Sequence, residues 1–372
     1  MRHNRYNKER KNKQLEKKPQ TIYLVCLKPF MVAYPIEINT QKAIQLIVEN
    51  WLHILSTNWG WIQEFNQIIA KYVEMLCYLA KIFRKIKTFE GHFGMVTCVQ
   101  FSPDGRTIVS SSSDKKILIW DVKSGLCVKK LEGHLNVVSE VQFSSDGQTI
   151  VSCSLDTTIR LWDVKSAIEI QKLEGHSGFV TSTQFSPDGR TILSCSFDQT
   201  VRIWDIQSGK EINRFQGHSS RVTGAQFSPN GHIVASCSDD KTIRLWDVLS
   251  GKEIQKFEQD TYVTAVQFSP DGFVMLSSSW DRFVRLWDLK SGMEIQRLVG
   301  HSSVVTGARF SPDGYSIVSY SWDKTVRLWD VGSGREMQTL GGHLDCVTGA
   351  QFSPDGCTIV SSCGDKIIRL WG

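Results

Sequence analysis

Residues 211–247 read EINRFQGHSSRVTGAQFSPNGHIVASCSDDKTIRLWD, and this stretch decides the fold. EINRF is a short run of strand-forming residues that Gly217-His218 interrupts. RVTGAQF is a second run, closed by the turn sequence SPNG, since Pro presets the first turn angle and Asn-Gly tolerates the left-handed one. HIVASCS is a third run, ended by Asp239-Asp240, and KTIRLWD is a fourth. Four short runs with turns every 8–12 residues describe one antiparallel sheet. Apolar or small residues stand on both faces of its inner runs, so one such sheet cannot bury itself alone and copies must stack.

The copies are present. Trp120, Trp162, Trp204, Trp246, Trp287, Trp329 and Trp371 are spaced 42, 42, 42, 41, 42 and 42 residues apart. Asp follows each except Trp371. FSPDG recurs at Phe101, Phe185, Phe268, Phe310 and Phe352, with FSSDG at Phe143 and FSPNG at Phe227. The seventh copy stops at Trp371-Gly372 without its fourth run, and an unpartnered run of that kind, KIKTF at residues 85–89, stands before the first Gly-His. One strand lacking at one end and one spare at the other predict a ring in which 85–89 completes the last sheet, leaving no open end-sheet edge.

With Gly-His about 28 residues before Trp-Asp, FSPDG between them and Asp six residues before each Trp, residues 84–372 resemble the WD-repeat β-propellers. The resemblance implies an all-β, closed seven-bladed propeller of four-stranded antiparallel blades, working as a non-enzymatic scaffold or adaptor for a protein or peptide partner. It does not extend to residues 1–83. There the sequence predicts a basic, disordered tail over 1–20 and, within 21–83, two amphipathic helices at 41–55 and 59–83. The second helix carries a stripe from Ile62 to Phe83 that docks on the propeller, on the first helix or on a second chain.

Each repeat places His, Ser, Asp and Trp at fixed spacing: His92, Ser110, Asp114, Trp120; His134, Ser152, Asp156, Trp162; His176, Ser194, Asp198, Trp204; His218, Ser236, Asp240, Trp246; His301, Ser319, Asp323, Trp329; and His343, Ser361, Asp365, Trp371. Read alone, one set suggests a hydrolase triad. Six copies, with no GxSxG turn, argue against catalysis. The resemblance implies structural hydrogen-bonded tetrads. In the fifth repeat Asp260 is read at the histidine position, turned outward from Asp281, which makes that blade the least protected.

Positions that differ between copies are the candidates for partner contact. One set precedes the repeated Val: Met95, Val137, Phe179, Arg221, Tyr262, Val304 and Cys346. The other precedes the blade Asp: Ser113, Leu155, Phe197, Asp239, Trp280, Trp322 and Gly364. The resemblance implies that both sets share one rim around the central channel. Met95, Leu155, Phe179, Phe197, Arg221, Asp239, Tyr262, Trp280 and Trp322 are the expected partner-binding residues, because large aromatics at loop positions anchor interfaces. Arg221 and Asp239 add one charge of each sign, which does not suit a polyanion. The Thr or Ser after each repeated Val is expected to line the channel mouth with hydroxyls.

Composition fits this reading: of 372 residues, 41% are hydrophobic, 22% charged and 10% aromatic, which excludes a disordered or collagen-like chain and a polytopic membrane protein. The apolar stretch 21–38 is cut by Lys28, Pro29, Pro35 and Glu37, too short and broken to span a bilayer. The run 22–27 is too short for a secretory signal, so an intracellular location, cytoplasmic and/or nuclear, is expected. The net charge of +5 is lopsided: residues 1–18 carry eight Lys/Arg against two Glu, and the rest sums to −1. An alternative function follows, a subunit of a ribonucleoprotein or chromatin complex whose basic tail 1–18 touches nucleic acid, or a ubiquitin-ligase substrate receptor. Cys153, Cys195 and Cys237 recur inside Ser-Cys-Ser triplets, with Cys363 read at the same place in the last copy. They are expected to be buried free thiols. No CxxC occurs, and neither a metal nor a cofactor is expected.

Overall fold

The computed structural model describes residues 82–372. The tail 1–20 and all but the last two residues of the expected helices lie outside the described residues. Twenty-eight strands form seven four-stranded antiparallel sheets. Blade 1 is β2 (Val96–Phe101), β3 (Thr107–Ser112), β4 (Lys116–Asp121) and β5 (Cys127–Glu132), paired in that order. Blades 2 to 6 repeat the pattern over residues 138–173, 180–216, 222–258, 263–298 and 305–340.

Blade 7 closes the ring. Its sheet runs β1 (Lys85–Phe89), β28 (Ile368–Trp371), β27 (Ile359–Cys363) and β26 (Val347–Phe352). The first and last strands are antiparallel partners, with Thr88 opposite Arg369 and Phe89 opposite Ile368. Arg84 and Gly372 exchange a reciprocal pair of backbone hydrogen bonds at 3.0 Å each. Phe83, expected on a helical stripe, instead precedes β1 in extended chain. Its N–H donates to Gln338 Oε1 at 2.9 Å, its carbonyl accepts from Gln338 Nε2 at 2.7 Å, and its ring is buried against Phe352. An apolar residue at helical spacing is equally able to fill a gap between sheets, and here the propeller core takes it.

Burial along each blade explains the weak alternation of the sequence. The second and third strands are buried on both faces because neighbouring blades cover them, whereas the outermost strand, such as β5, buries every second residue at most. Each of the seven apolar clusters draws on two adjacent blades. One joins Val109, Ile117, Ile119 and Leu131 of blade 1 to Val138, Val141, Ile150 and Trp162 of blade 2. Another joins Phe89, Val360 and Leu370 of blade 7 to Val96, Ile108 and Trp120 of blade 1.

The hydroxyls after the repeated Val have a bonding role between blades. Six of the seven bond across to the next blade's first Val carbonyl, from Thr97 on Val138 (2.5 Å) round to Thr348 on Val96 (2.6 Å). A hydroxyl beside an inter-blade carbonyl is worth more bonded than hydrated, so the ring of threonines stitches blades together. Ser139 alone leaves its buried hydroxyl without a partner. The FSPDG turns are self-contained. Ser102 Oγ donates to Asp104 Oδ1 (2.6 Å), Asp104 Oδ1 accepts from the Arg106 N–H (3.0 Å), and Gly105 sits at φ +68, where a side chain is strained.

Candidate protein-interaction site

The tetrads are found as relays. In blade 1, Trp120 Nε1 donates to Ser110 Oγ (2.8 Å), and Ser110 Oγ lies 2.7 Å from His92 Nε2. His92 Nδ1 lies 2.9 Å from Asp114 Oδ2. The indole can only donate and the carboxylate can only accept, so the polarity is fixed: Ser110 donates to Nε2, and Nδ1–H donates to Asp114. The same relay occurs at His134, His176, His218 and His301. Burial pushes the Asp114 carboxyl up, but the His92 contact and the Phe93 N–H outweigh it and hold it at about 2. The carboxyls of Asp156, Asp198, Asp240 and Asp323 are likewise lowered. Every hydroxyl and imidazole of these sets is consumed in locking its blade.

Each relay also builds the loop surface above it. The backbone N–H after the histidine donates to the tetrad carboxylate, as from Phe93 to Asp114 at 2.9 Å. In every blade the two variable residues meet through one backbone hydrogen bond. Examples are Phe197 N–H to the Phe179 carbonyl (2.9 Å), Trp280 to Tyr262 (3.1 Å) and Trp322 to Val304 (3.0 Å). Both variable sets therefore stand side by side on one rim.

The rim is aromatic in blades 3, 5 and 6, with the Arg221–Asp239 pair of blade 4 between them. Tyr262 and Trp280 pack edge-to-face with centroids 5.5 Å apart, and Trp280 and Trp322 meet across the blade 5–6 junction, also at 5.5 Å. Phe179 and Phe197 are 5.6 Å apart, and the Arg221 guanidinium lies 4.9 Å over Phe197. Arg221 and Asp239 form an ion pair, so the two charges cancel locally. Trp280 and Trp322 are 40% and 45% exposed, whereas the seven blade tryptophans are at most 8% exposed. Met95 is also exposed, while Leu155 and Phe197 are half-buried. Sequence reasoning missed a third set: Phe93, Leu135 and Leu344, each immediately after the histidine, are more than 70% exposed. Their signal is an apolar residue where blades 3, 4 and 6 carry Ser.

The comparisons with known proteins agree with this geometry. A family model described as the IFT122 first beta-propeller matches residues 155–371, more than half of the chain. Another, described as WD domain, G-beta repeat, matches residues 83–121 and 125–163. The chain belongs to the WD-repeat β-propeller family. Among curated relatives, WD repeat-containing protein 18 of Rattus norvegicus is 48% identical over 42 residues, 11% of this chain and 10% of its own length. Periodic tryptophan protein 2 of Saccharomyces cerevisiae is 36% identical over 59 residues, 16% of this chain and 6% of its own. Nuclear distribution protein nudF of Aspergillus oryzae is 41% identical over 46 residues, 12% and 10%. The chain thus spans about a tenth or less of the length of these relatives. WD-repeat propellers are in general protein-interaction scaffolds, and this one has that architecture. Among the described residues no helix is long and apolar enough to cross a membrane.

Two blades of this WD-repeat propeller depart from the tetrad. In blade 5 the histidine position belongs to Gln259, not Asp260. The residue lost from the repeat is the glycine before it, so Gln259 keeps the 18- and 28-residue spacings to Ser277 and Trp287. Gln259 Nε2 donates to Ser277 Oγ (2.9 Å), and its Oε1 accepts from Arg285 Nη1 (3.3 Å). Asp281 is ion-paired with Arg285. Gln259 and Arg285 thus join Ser277 to Asp281 where the other blades use histidine. Asp260 is exposed.

In blade 7 His343 Nε2 is 2.8 Å from Ser361 Oγ, but Nδ1 is 4.0 Å from Asp365 and accepts from Arg369 Nη1 at 2.8 Å. The proton must then sit on Nε2, the reverse of the other histidines. The cause lies in the closing strand. Arg202, at the place of Arg369, pairs with Glu211 opposite Trp204. Opposite Trp371, β1 supplies Lys85. Ile367 also stands where blades 2, 3, 4 and 6 carry a threonine that bonds the carboxylate, as Thr200 does on Asp198. Arg369 therefore turns onto Asp365 (2.8 Å) and His343. Burial, then Arg369, pushes the His343 imidazole down to about 3.

Donor atoms of His343, Cys363 and Asp365 lie within 4.8 Å of one another. Arg369 already sits among them, and burial pushes the Cys363 thiol up to about 12, so this set does not suit a cation. Cys363 also stands one place on from the Ser-Cys-Ser thiols: it pairs with Val347 as Ser154 pairs with Val138, and Ser362 holds the thiol position. Cys153, Cys195 and Cys237 are buried and free, as expected.

Proposed function

We propose that this propeller is a non-enzymatic scaffold that captures a protein or peptide on the aromatic sector of its rim, over blades 3 to 6. The observation that supports this most is the chain of Tyr262, Trp280 and Trp322. These rings pack on one another rather than into a core, and keep about 40% of their surface in water. Burying rings of this size against a partner supplies both area and orientation. The neutralised Arg221–Asp239 pair offers a polar register beside them. Consumption of each His–Ser–Asp set by its own blade supports the absence of catalysis by those groups.

The test is affinity capture with mass spectrometry, comparing the full chain with Trp280→Ala/Trp322→Ala. Capture should fall for a defined set of proteins while the melting temperature holds, because both rings are exposed and neither belongs to a buried apolar cluster. An unchanged set of captured proteins would move the site off this sector.

A further inference from the structure

At the face opposite the aromatic rim, among the FSPDG turns, the inner strands enclose a cavity of about 400 Å³ at the channel mouth. The repeat places glutamine at one position in six blades and Arg309 in blade 6, and Gln100, Gln142, Gln267, Gln351 and Arg309 line this cavity. The glutamines are oriented. Oε1 of Gln142, Gln267 and Gln351 accepts from the next blade's phenylalanine N–H at 2.8, 2.7 and 3.0 Å. With the oxygen so used, the amide N–H end is the one left for the channel. At these three glutamines the floor therefore presents donors.

Arginine has no acceptor, so Arg309 gives up that stitch to blade 7 and places a cation at the floor instead. Two further departures from the repeat converge on it, Tyr320 and Glu140, beside a glycine that blades 4 and 7 also carry. Tyr320 replaces the small thiol or hydroxyl of the other blades and stands beside the guanidinium. Gly307 makes room, since a Cβ there would lie 2.2 Å from Tyr320 Oη. Glu140, from blade 2, reaches towards Arg309 from the opposite wall. Its Oε1 is 3.7 Å from Arg309 Nη2, an ion pair too long for a hydrogen bond, and its other oxygen accepts from the Thr183 N–H at 3.1 Å. Arg309 is thus positioned on two sides without having its five donors satisfied.

We propose that this floor is a seat for a small oxyanion, a carboxylate or phosphate group, held by the Arg309 fork and by amide N–H groups of Gln267 and Gln351 in the flanking blades. Guanidinium and planar amides match such oxygens in charge and geometry, and partial shielding from water strengthens the contact. Glu140 sets the orientation of Arg309 and competes with the anion. This seat is independent of the aromatic rim.

The test is isothermal titration calorimetry of the full chain with sodium phosphate and with succinate, at constant ionic strength set by sodium chloride. Saturable binding of at least one is expected. Arg309→Gln, which restores the residue of the other six blades, should weaken it about 10- to 100-fold, the loss of one charged, forked contact. Glu140→Gln should tighten it several-fold, and Trp280→Ala/Trp322→Ala should leave it unchanged. Preference for phosphate or for succinate tells the phosphoryl from the carboxylate source. Failure of wild type to bind either anion overturns the proposal, as does wild-type affinity in Arg309→Gln. Should Arg309→Gln not fold, Glu140→Gln decides: unchanged or weaker binding overturns the proposal.

Discussion

Replacing His343 by Gln should make the propeller more acid-resistant with little effect at neutral pH. His343 in the folded chain titrates at about 3, because it is buried and faces Arg369, against an ordinary value of 6.5. A depressed imidazole is neutral when folded, so the unfolded chain binds the extra proton. Its stabilising contribution is complete above pH 6.5 and is lost as pH falls towards 3. Between pH 7 and 4.5 the loss is about two pH units below the ordinary value, at about 1.4 kcal/mol each, or about 3 kcal/mol. Glutamine does not titrate, and Gln259 of blade 5 already shows the required geometry, donating to serine and accepting from arginine. Urea unfolding at pH 7 and 4.5, wild type against His343→Gln, gives the difference directly. At pH 7 the two should agree within about 1 kcal/mol, the usual range for a substitution that keeps its partners. At pH 4.5 the variant should lead by about 3 kcal/mol. Parallel loss of stability in both proteins would refute the reversed relay. His176, also pushed down by burial, titrates in both proteins and cancels.

Three other outcomes follow from packing and bonding. Trp204→Ala should cost about 3–5 kcal/mol by urea unfolding, because the ring is 2% exposed in a blade interface and leaves a cavity. Gly307→Ala should destabilise by about 1–3 kcal/mol through the clash with Tyr320, and adding Tyr320→Ser should recover most of it in a double-mutant cycle. Thr348→Val, which removes the hydroxyl stitch from blade 7 to blade 1, should cost about 1–2 kcal/mol. If it costs no more than Ser139→Ala, whose hydroxyl has no partner, the threonine ring does not hold the blades.

The regular part of the molecule was legible because stacking forces every blade to repeat its framework. Trp, Ser, Asp and the turn residues recur at fixed spacing, and the spare run 85–89 finds its place by elimination. The exceptions were not legible, because they depend on which neighbour faces which. Gln259 and Asp260 stand side by side, and only the 18-residue spacing to Ser277 separates the relay residue from its exposed neighbour. The reversed His343 relay needs the register that sets Lys85 opposite Trp371, which appears only once the ring is closed. The threonine stitches and the convergence of Glu140, Arg309 and Tyr320 join residues of different blades, across distances that a single repeat does not reveal. Phe93, Leu135 and Leu344, after the histidines, resemble core residues in sequence, and only the relay turns them outward.

Ring closure is tested most directly by amide hydrogen exchange at Lys85–Phe89 and Ile368–Trp371. The account predicts slow exchange at both strands, comparable to β4 and β5 of blade 1 and lost together with the rest of the ring on global unfolding. Exchange at 85–89 as fast as in an unpaired chain, with blade 1 still protected, would contradict it.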